Sequence, residues 1–151
     1  MQAPAPDAFE AALSALRRKE RTTAELADLL EGRGYGPQEV TDAIARLVEA
    51  GALDDERFAR LYAQDKQELQ GWGPERIRAA LGARGVPPSL AEAALEADTH
   101  EAQVGRAREL LEARGRPLGA DADRARAVGF LTRRGYDYEI AHEAIRQAIR
   151  N

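Results

Sequence analysis

RGYGPQEVTDAI (residues 33–44) recurs in outline as RGVPPSLAEAAL (84–95) and RGYDYEIAHEAI (134–145). Each copy opens on an Arg-Gly pair, has Leu four residues before the Gly (Leu30, Leu81, Leu131) and an aliphatic residue ten after it (Ile44, Leu95, Ile145). The glycines lie 51 and then 50 residues apart, a period at which a helical repeat array is the default explanation. A more obvious likeness misleads. GYGPQEV (34–40) and GWGPERI (71–77) are 37 residues apart, but they match only because each places Gly at a helix N-cap and Pro after it. The first begins the third helix of one unit; the second begins the middle helix of the next.

Working outward from these turns, the period is helical throughout. Leu26, Leu29 and Leu30, then Val40, Ile44, Leu47 and Val48, then Ile140, Ala144, Ile145, Ala148 and Ile149 follow the i, i+3, i+4 rule of an amphipathic helix. Strand-type alternation is absent. Thr22-x-x-Glu25 and Ser89-x-x-Glu92 read as capping boxes, Pro37 and Pro74 as first helical positions, and Gly34, Gly51, Gly71, Gly85, Gly115 and Gly135 as stops. The expectation is all-α: nine helices near 7–20, 23–32, 37–50, 55–70, 74–84, 89–97, 99–114, 122–134 and 137–150. They group into three tandem three-helix repeats, 9–53, 54–98 and 99–151, after a flexible tail over 1–8. Units this small must lean on one another, which gives an elongated, curved, solenoid-like rod with hinges between units. The segment 114–123, rich in Gly, Pro and Asp, is the weakest connection, a turn or an elbow.

Composition narrows the chemistry. Among 151 residues there is no Cys, which removes disulfides, thiolate metal sites and thiol nucleophiles together. No apolar run approaches the length that crosses a bilayer, and MQAPAPDA lacks the parts of a signal peptide, so a cytoplasmic monomer without membrane contact is expected. The net charge of −4 is uneven. Residues 1–50 and 51–99 each carry 6 basic and 9 acidic side chains, whereas 100–151 carry 10 and 8, so only the last third is positive.

No constellation points to catalysis. His100 and His142 have no partner at ligand spacing, Asp54, Asp55 and Glu56 suit a helix N-terminus, where acids oppose the dipole, and GRGYG follows no strand that would make it a phosphate cradle. Neither a catalytic residue nor a cofactor or metal is expected. Trp72, the sole Trp, sits in a turn between glycines and reads as a lid over a joint between helices in preference to an exposed anchor. Arg17, Arg18, Lys19 and Arg21 read as a solvated helix end, and Arg57/Arg60 and Arg146/Arg150 each set two guanidinium groups on one helix face.

Two functional classes remain. Residues 22–53 have the look of a winged helix-turn-helix, which would make the chain a DNA-binding transcriptional regulator. That reading needs a β-hairpin wing next, where the sequence supplies the helical DDERFARLYAQDKQEL, and a basic recognition helix, where 37–50 carries Glu39, Asp42 and Glu49 against Arg46. The other class is a module that binds by shape. LRRKERTTAEL (16–26), GALDDERFARLY (51–62), GWGPERIRAALGARGV (71–86) and FLTRRGYDYEIAHEAI (130–145) resemble the RecX family of RecA regulators across nearly the whole chain.

The resemblance implies an all-α protein that lodges in the groove of the RecA–single-stranded DNA filament, hinders its growth and suppresses ATPase, strand exchange and co-protease activity. Asp54, Asp55, Arg57 and Phe58 match the family pattern of the second unit, Gly71, Gly73, Arg76 and Ile77 its next helix, and Arg17, Arg18, Glu25 and Leu26 the first unit. Phe58, Ile77 and Leu26 read as core and the glycines as turns. Arg17, Arg18, Arg57, Arg60, Arg76, Arg78, Arg133, Arg134, Arg146 and Arg150 are the expected filament-facing residues, aimed at RecA carboxylates or DNA phosphates through fork contacts. With a pI near 5.3, contact with DNA is expected to be weak or indirect, and RecA itself to be the main partner.

Overall fold

The computed structural model describes residues 5–150, and among these there are nine α-helices and no strand. They are α1 (Ala8–Arg18), α2 (Thr23–Gly32), α3 (Pro37–Glu49), α4 (Asp55–Gln70), α5 (Pro74–Ala83), α6 (Pro88–Leu95), α7 (His100–Arg114), α8 (Asp121–Arg133) and α9 (Tyr138–Arg150). Where a wing would follow α3, the chain forms α4. All six glycine stops have positive φ, from 65° to 102°, the conformation that ends a helix at least cost when no Cβ is present.

Cap chemistry explains where the ends fall. The Thr22 hydroxyl accepts from the Glu25 N–H at 3.2 Å while the Glu25 carboxylate accepts from the Thr22 N–H at 3.0 Å, the reciprocal box expected from the sequence. Gly36 and Gly73 are N-caps followed by Pro, also as expected. Ser89 is not a cap. Pro88 starts α6 one residue earlier, with Pro87 at the N-cap, and Glu92 turns instead to Arg78. The tail expected over 1–8 also ends early: Asp7 caps α1 by accepting from the Glu10 N–H, and Ala8 is already helical and buried; residues 1–4 lie outside the described part. α1 stops at Arg18 with Lys19 at its C-cap, so the helix expected to reach residue 20 ends short of it.

Three apolar clusters follow one another along the chain. Leu26, Leu30, Val40 and Leu47 centre the first, Phe58, Ile77, Leu81 and Leu95 the second, and Leu111, Leu131, Ile140 and Ile145 the third. Alanines fill the gaps: Ala12, Ala15, Ala59, Ala107 and Ala144 are wholly buried, which lets helices approach closely without large side chains. The principal helix pairs are α1 with α3, α4 with α6 and α7 with α9, all inside one unit. The accessible surface of 9203 Å² exceeds the roughly 7,500 Å² of a compact monomer of this mass, in keeping with units set in a row. The 114–123 segment is an ordered turn within the third unit, held by Arg124, whose guanidinium donates to the Leu118 and Gly119 carbonyls at 3.1 and 2.9 Å.

Leu81 is fully buried and makes the second cluster continuous. Leu81→Ala is expected to cost about 2–5 kcal/mol, read as a lowered midpoint in urea or thermal unfolding, whereas Leu61→Ala on the exposed face of α4 should cost well under 1 kcal/mol.

Candidate interaction surface

The recurring Arg-Gly turn is where one unit receives another. In the second unit the Arg84 carbonyl accepts from the Thr22 hydroxyl at 2.6 Å, and the Arg84 guanidinium grips Glu25 by two bonds of 3.1 and 2.9 Å. Gly85 is required there because a methyl on it would overlap that of Ala24. Asp55 completes this joint by accepting from the N–H and hydroxyl of Thr23. The Arg84 guanidinium also lies 4.5 Å from the Phe58 ring centroid, so one side chain ties the start of α2 to α4.

In the third unit the turn is Arg134-Gly135, and it receives the start of α5. The Gly73 N–H donates to the Arg134 carbonyl at 2.8 Å and the Glu75 N–H to the Gly135 carbonyl at 2.9 Å, so helix-end donors with no intrahelical partner are satisfied from the next unit. A Cβ on Gly73 would lie 2.5 Å from the Gly135 oxygen, so neither backbone leaves room for a side chain. Tyr136, almost fully buried, donates its hydroxyl to the Gly71 carbonyl at 2.7 Å. Burial and the neighbouring acids push that phenol up to about 12, against the pull of Arg106.

Arg106 of α7 pins the same joint. It forks onto Asp98 at 2.9 and 2.8 Å, donates to the Trp72 carbonyl at 3.2 Å and lies 5.5 Å from the Tyr136 ring. Burial works against its charge, but Asp98 outweighs this and leaves its pKa raised. Trp72 is half-buried here, with the Arg76 and Lys66 cations 4.2 and 4.8 Å from its ring, a lid over the joint.

These contacts sort the ten arginines expected to face a partner. Arg57 pairs with Asp54 at 3.7 Å, Arg78 with Glu75 and Glu92, and Arg146 with Glu143. Arg76 covers Trp72, and Arg134 lies 4.2 Å from the Phe130 ring while its carbonyl serves the joint. The remaining five, Arg17, Arg18, Arg60, Arg133 and Arg150, are exposed and make no ion pair among the described residues. They are distributed over all three units. Of the family-pattern residues, Phe58 and Ile77 are core, Gly71 and Gly73 form the second joint, Asp54 caps α4 and Asp55 belongs to the first joint. Sequence reading missed Arg84, Glu25 and Arg106 as joint residues, although the repeated Arg-Gly pair carried the signal for the first.

His100 and His142 are both exposed, and no cluster of potential metal ligands occurs among the described residues. A cleft of about 310 Å³ between α7 and α9 is lined by His100, Glu101, Arg108, Glu143 and Gln147, with Arg108 bonded to Gln147. No helix among the described residues is long and apolar enough to cross a membrane.

Three-helix units in series, joined through Arg-Gly turns, define a tandem three-helix repeat protein. Residues 8–47 match the family description "RecX, first three-helix domain" and residues 54–95 "RecX, second three-helix domain". The chain is 37% identical over 142 residues to the regulatory protein RecX of Thermus thermophilus, spanning 94% of this chain and 92% of that one. It is 31% identical over 140 residues to that of Chromohalobacter salexigens, spanning 93% and 91%. The crystal structure of RecX from Lactobacillus salivarius superposes with a TM-score of 0.87 at 22% identity, over 95% of this chain and 96% of that chain. The chain belongs to the RecX family of regulatory proteins.

The two joints differ in kind, and this has measurable consequences. The Asp98 side chain is 3% exposed, so Arg106→Ala would strand a buried carboxylate at a cost of about 3–5 kcal/mol in thermal or urea unfolding. At the first joint, burial acts to raise the pKa of Glu25, but its bonds to Arg84 and Thr22 prevail and hold it below the ordinary 4.5. A depressed pKa means stabilisation present above 4.5 and lost as pH falls through the folded value. Stability measured against pH should therefore drop more steeply below 4.5 in the native chain than in Glu25→Gln.

Proposed function

We propose that this chain is a negative regulator of RecA, a binding protein and not an enzyme, acting in the cytoplasm on the control of recombination and the SOS response. It lies in the groove of the RecA–single-stranded DNA filament, blocks filament extension and suppresses ATPase, strand exchange and co-protease activity. The observation that carries this reading, beside family membership, is the distribution of Arg17, Arg18, Arg60, Arg133 and Arg150 over all three units, exposed and in no ion pair among the described residues. A row of fixed units bearing one or two free guanidinium groups each suits a partner that repeats along an axis. Forked guanidinium contacts to carboxylates or phosphates are among the stronger hydrogen bonds available on a surface. The net charge of −4 weighs against tight binding to bare DNA, so acidic groups of RecA carry most of the contact and the phosphates less.

The test is the single-stranded-DNA-dependent ATPase rate of RecA with this protein titrated in. Inhibition is expected at less than one molecule per RecA, with weak binding to the same DNA alone. Arg17→Glu combined with Arg60→Glu should raise the half-inhibiting concentration about a hundredfold or more, because two lost charged contacts at about 1.5–3 kcal/mol each sum to about 3 kcal/mol at least. Reversal at Arg78, already engaged by Glu75 and Glu92, should have a smaller effect on inhibition. An ATPase rate unchanged at molar excess, with tight and salt-sensitive binding to DNA alone, would instead favour a DNA-binding helical array.

A further inference from the structure

Each internal joint sets the start of a middle helix on the Arg-Gly turn of the following unit. Three units in a row leave one such turn and one such helix start unused. The unused turn is Arg33-Gly34 in the first unit, exposed, with Arg33 in no ion pair among the described residues and open space where a Cβ on Gly34 would sit. The unused helix start is that of α8 in the third unit.

At its second and third residues α8 follows α2, while Ala120 and Asp121 stand where α2 has Thr22 and Thr23. The second helical residue is Ala24 in α2 and Ala122 in α8; the third is Glu25 and Asp123, and each carboxylate accepts from its own N-cap N–H, at 3.0 and 3.1 Å. In the first joint Ala24 fills the space above Gly85 and Glu25 grips Arg84. The third unit therefore presents an alanine and a carboxylate in the arrangement that the turn of the first unit, a glycine and a free arginine, would accept.

We propose that two copies of this chain associate head to tail, with the α8 start of one seated on the Arg33-Gly34 turn of the next, Ala122 over Gly34 and Asp123 paired with Arg33. The contact continues the internal array across a copy boundary. It is heterologous, so further copies can add in the same sense. It is weaker than the internal joint, because Ala120 and Asp121 stand where α2 has Thr22 and Thr23, so the Thr22 bond to the turn carbonyl and the two bonds from Thr23 to Asp55 have no counterpart, and Asp123 shares its charge with Arg126 at 3.4 Å. The Tyr35 hydroxyl is already bonded to the Pro6 carbonyl, so it adds no bond to the contact, as at the first joint, where Val86 stands at that place. Dilute protein is monomeric, and copies held side by side on a common lattice gain the contact at high effective concentration.

Sedimentation velocity of the full chain from micromolar to millimolar concentration tests this without any partner. The weight-average mass is expected to rise above 16.5 kDa with concentration. Arg33→Glu and Ala122→Arg alter exposed side chains and leave the Asp123 cap in place; each alone should stay at the monomer mass. Their equimolar mixture should form dimers that stop at two, since one variant keeps an intact helix start and the other an intact turn. A wild-type mass constant across the range, or association of either variant equal to wild type, overturns the proposal.

Discussion

A helix cannot satisfy its own first backbone N–H groups, and this protein turns that constraint into its means of joining units. The middle helix of one unit begins against the Arg-Gly turn that ends the middle helix of the next: at the second joint free backbone donors of α5 meet the turn carbonyls, and at the first the Thr22 hydroxyl meets the Arg84 carbonyl while the Thr23 N–H meets the Asp55 carboxylate. Glycine at positive φ makes the turn, and its missing Cβ admits the neighbouring backbone or methyl group. Arginine supplies the grip. Each cluster centres on only a few large side chains, chiefly Leu, Ile and Val with Phe58 in the second and Tyr136 in the third, filled in by Ala, so small units depend on these joints for their place in the array.

The two joints solve the same problem with different chemistry. The first is made by side chains, Thr22, Thr23, Glu25, Asp55 and Arg84, and its ion pair is about 30% exposed on both sides. The second is made by backbone hydrogen bonds at Gly73, Glu75, Arg134 and Gly135, with the Arg106–Asp98 pair taken almost wholly out of water. The ion pair of the first joint is open to water, and that of the second is nearly closed to it. The same division governs the surface, because an arginine spent on a joint or on a helix-turn carboxylate is no longer available to a partner.

Much of this was legible in the sequence, for physical reasons. The 51- and 50-residue spacing of Arg-Gly pairs fixes three units, and period, Pro at N1 and Gly stops place nine helices to within a few residues. Ser89 misled because a capping-box pattern is local, and Pro88 one residue earlier is the stronger start. The joints were harder to read. Pairing of Arg84 with Glu25 spans 59 residues, and Arg106 meets the Trp72 carbonyl, 34 residues away, only once the units have docked. Sequence order alone could not sort ten arginines into those consumed by Asp54, Glu75, Glu92 and Glu143 and those left free.

Docking as an extended array is the claim on which the functional account rests. Electron cryomicroscopy of RecA–single-stranded DNA filaments saturated with this protein tests it most directly. The account predicts continuous density along the filament groove, each copy touching more than one RecA subunit through the faces that carry Arg17, Arg60 and Arg133. Density confined to filament ends, or to the DNA with RecA untouched, would contradict it.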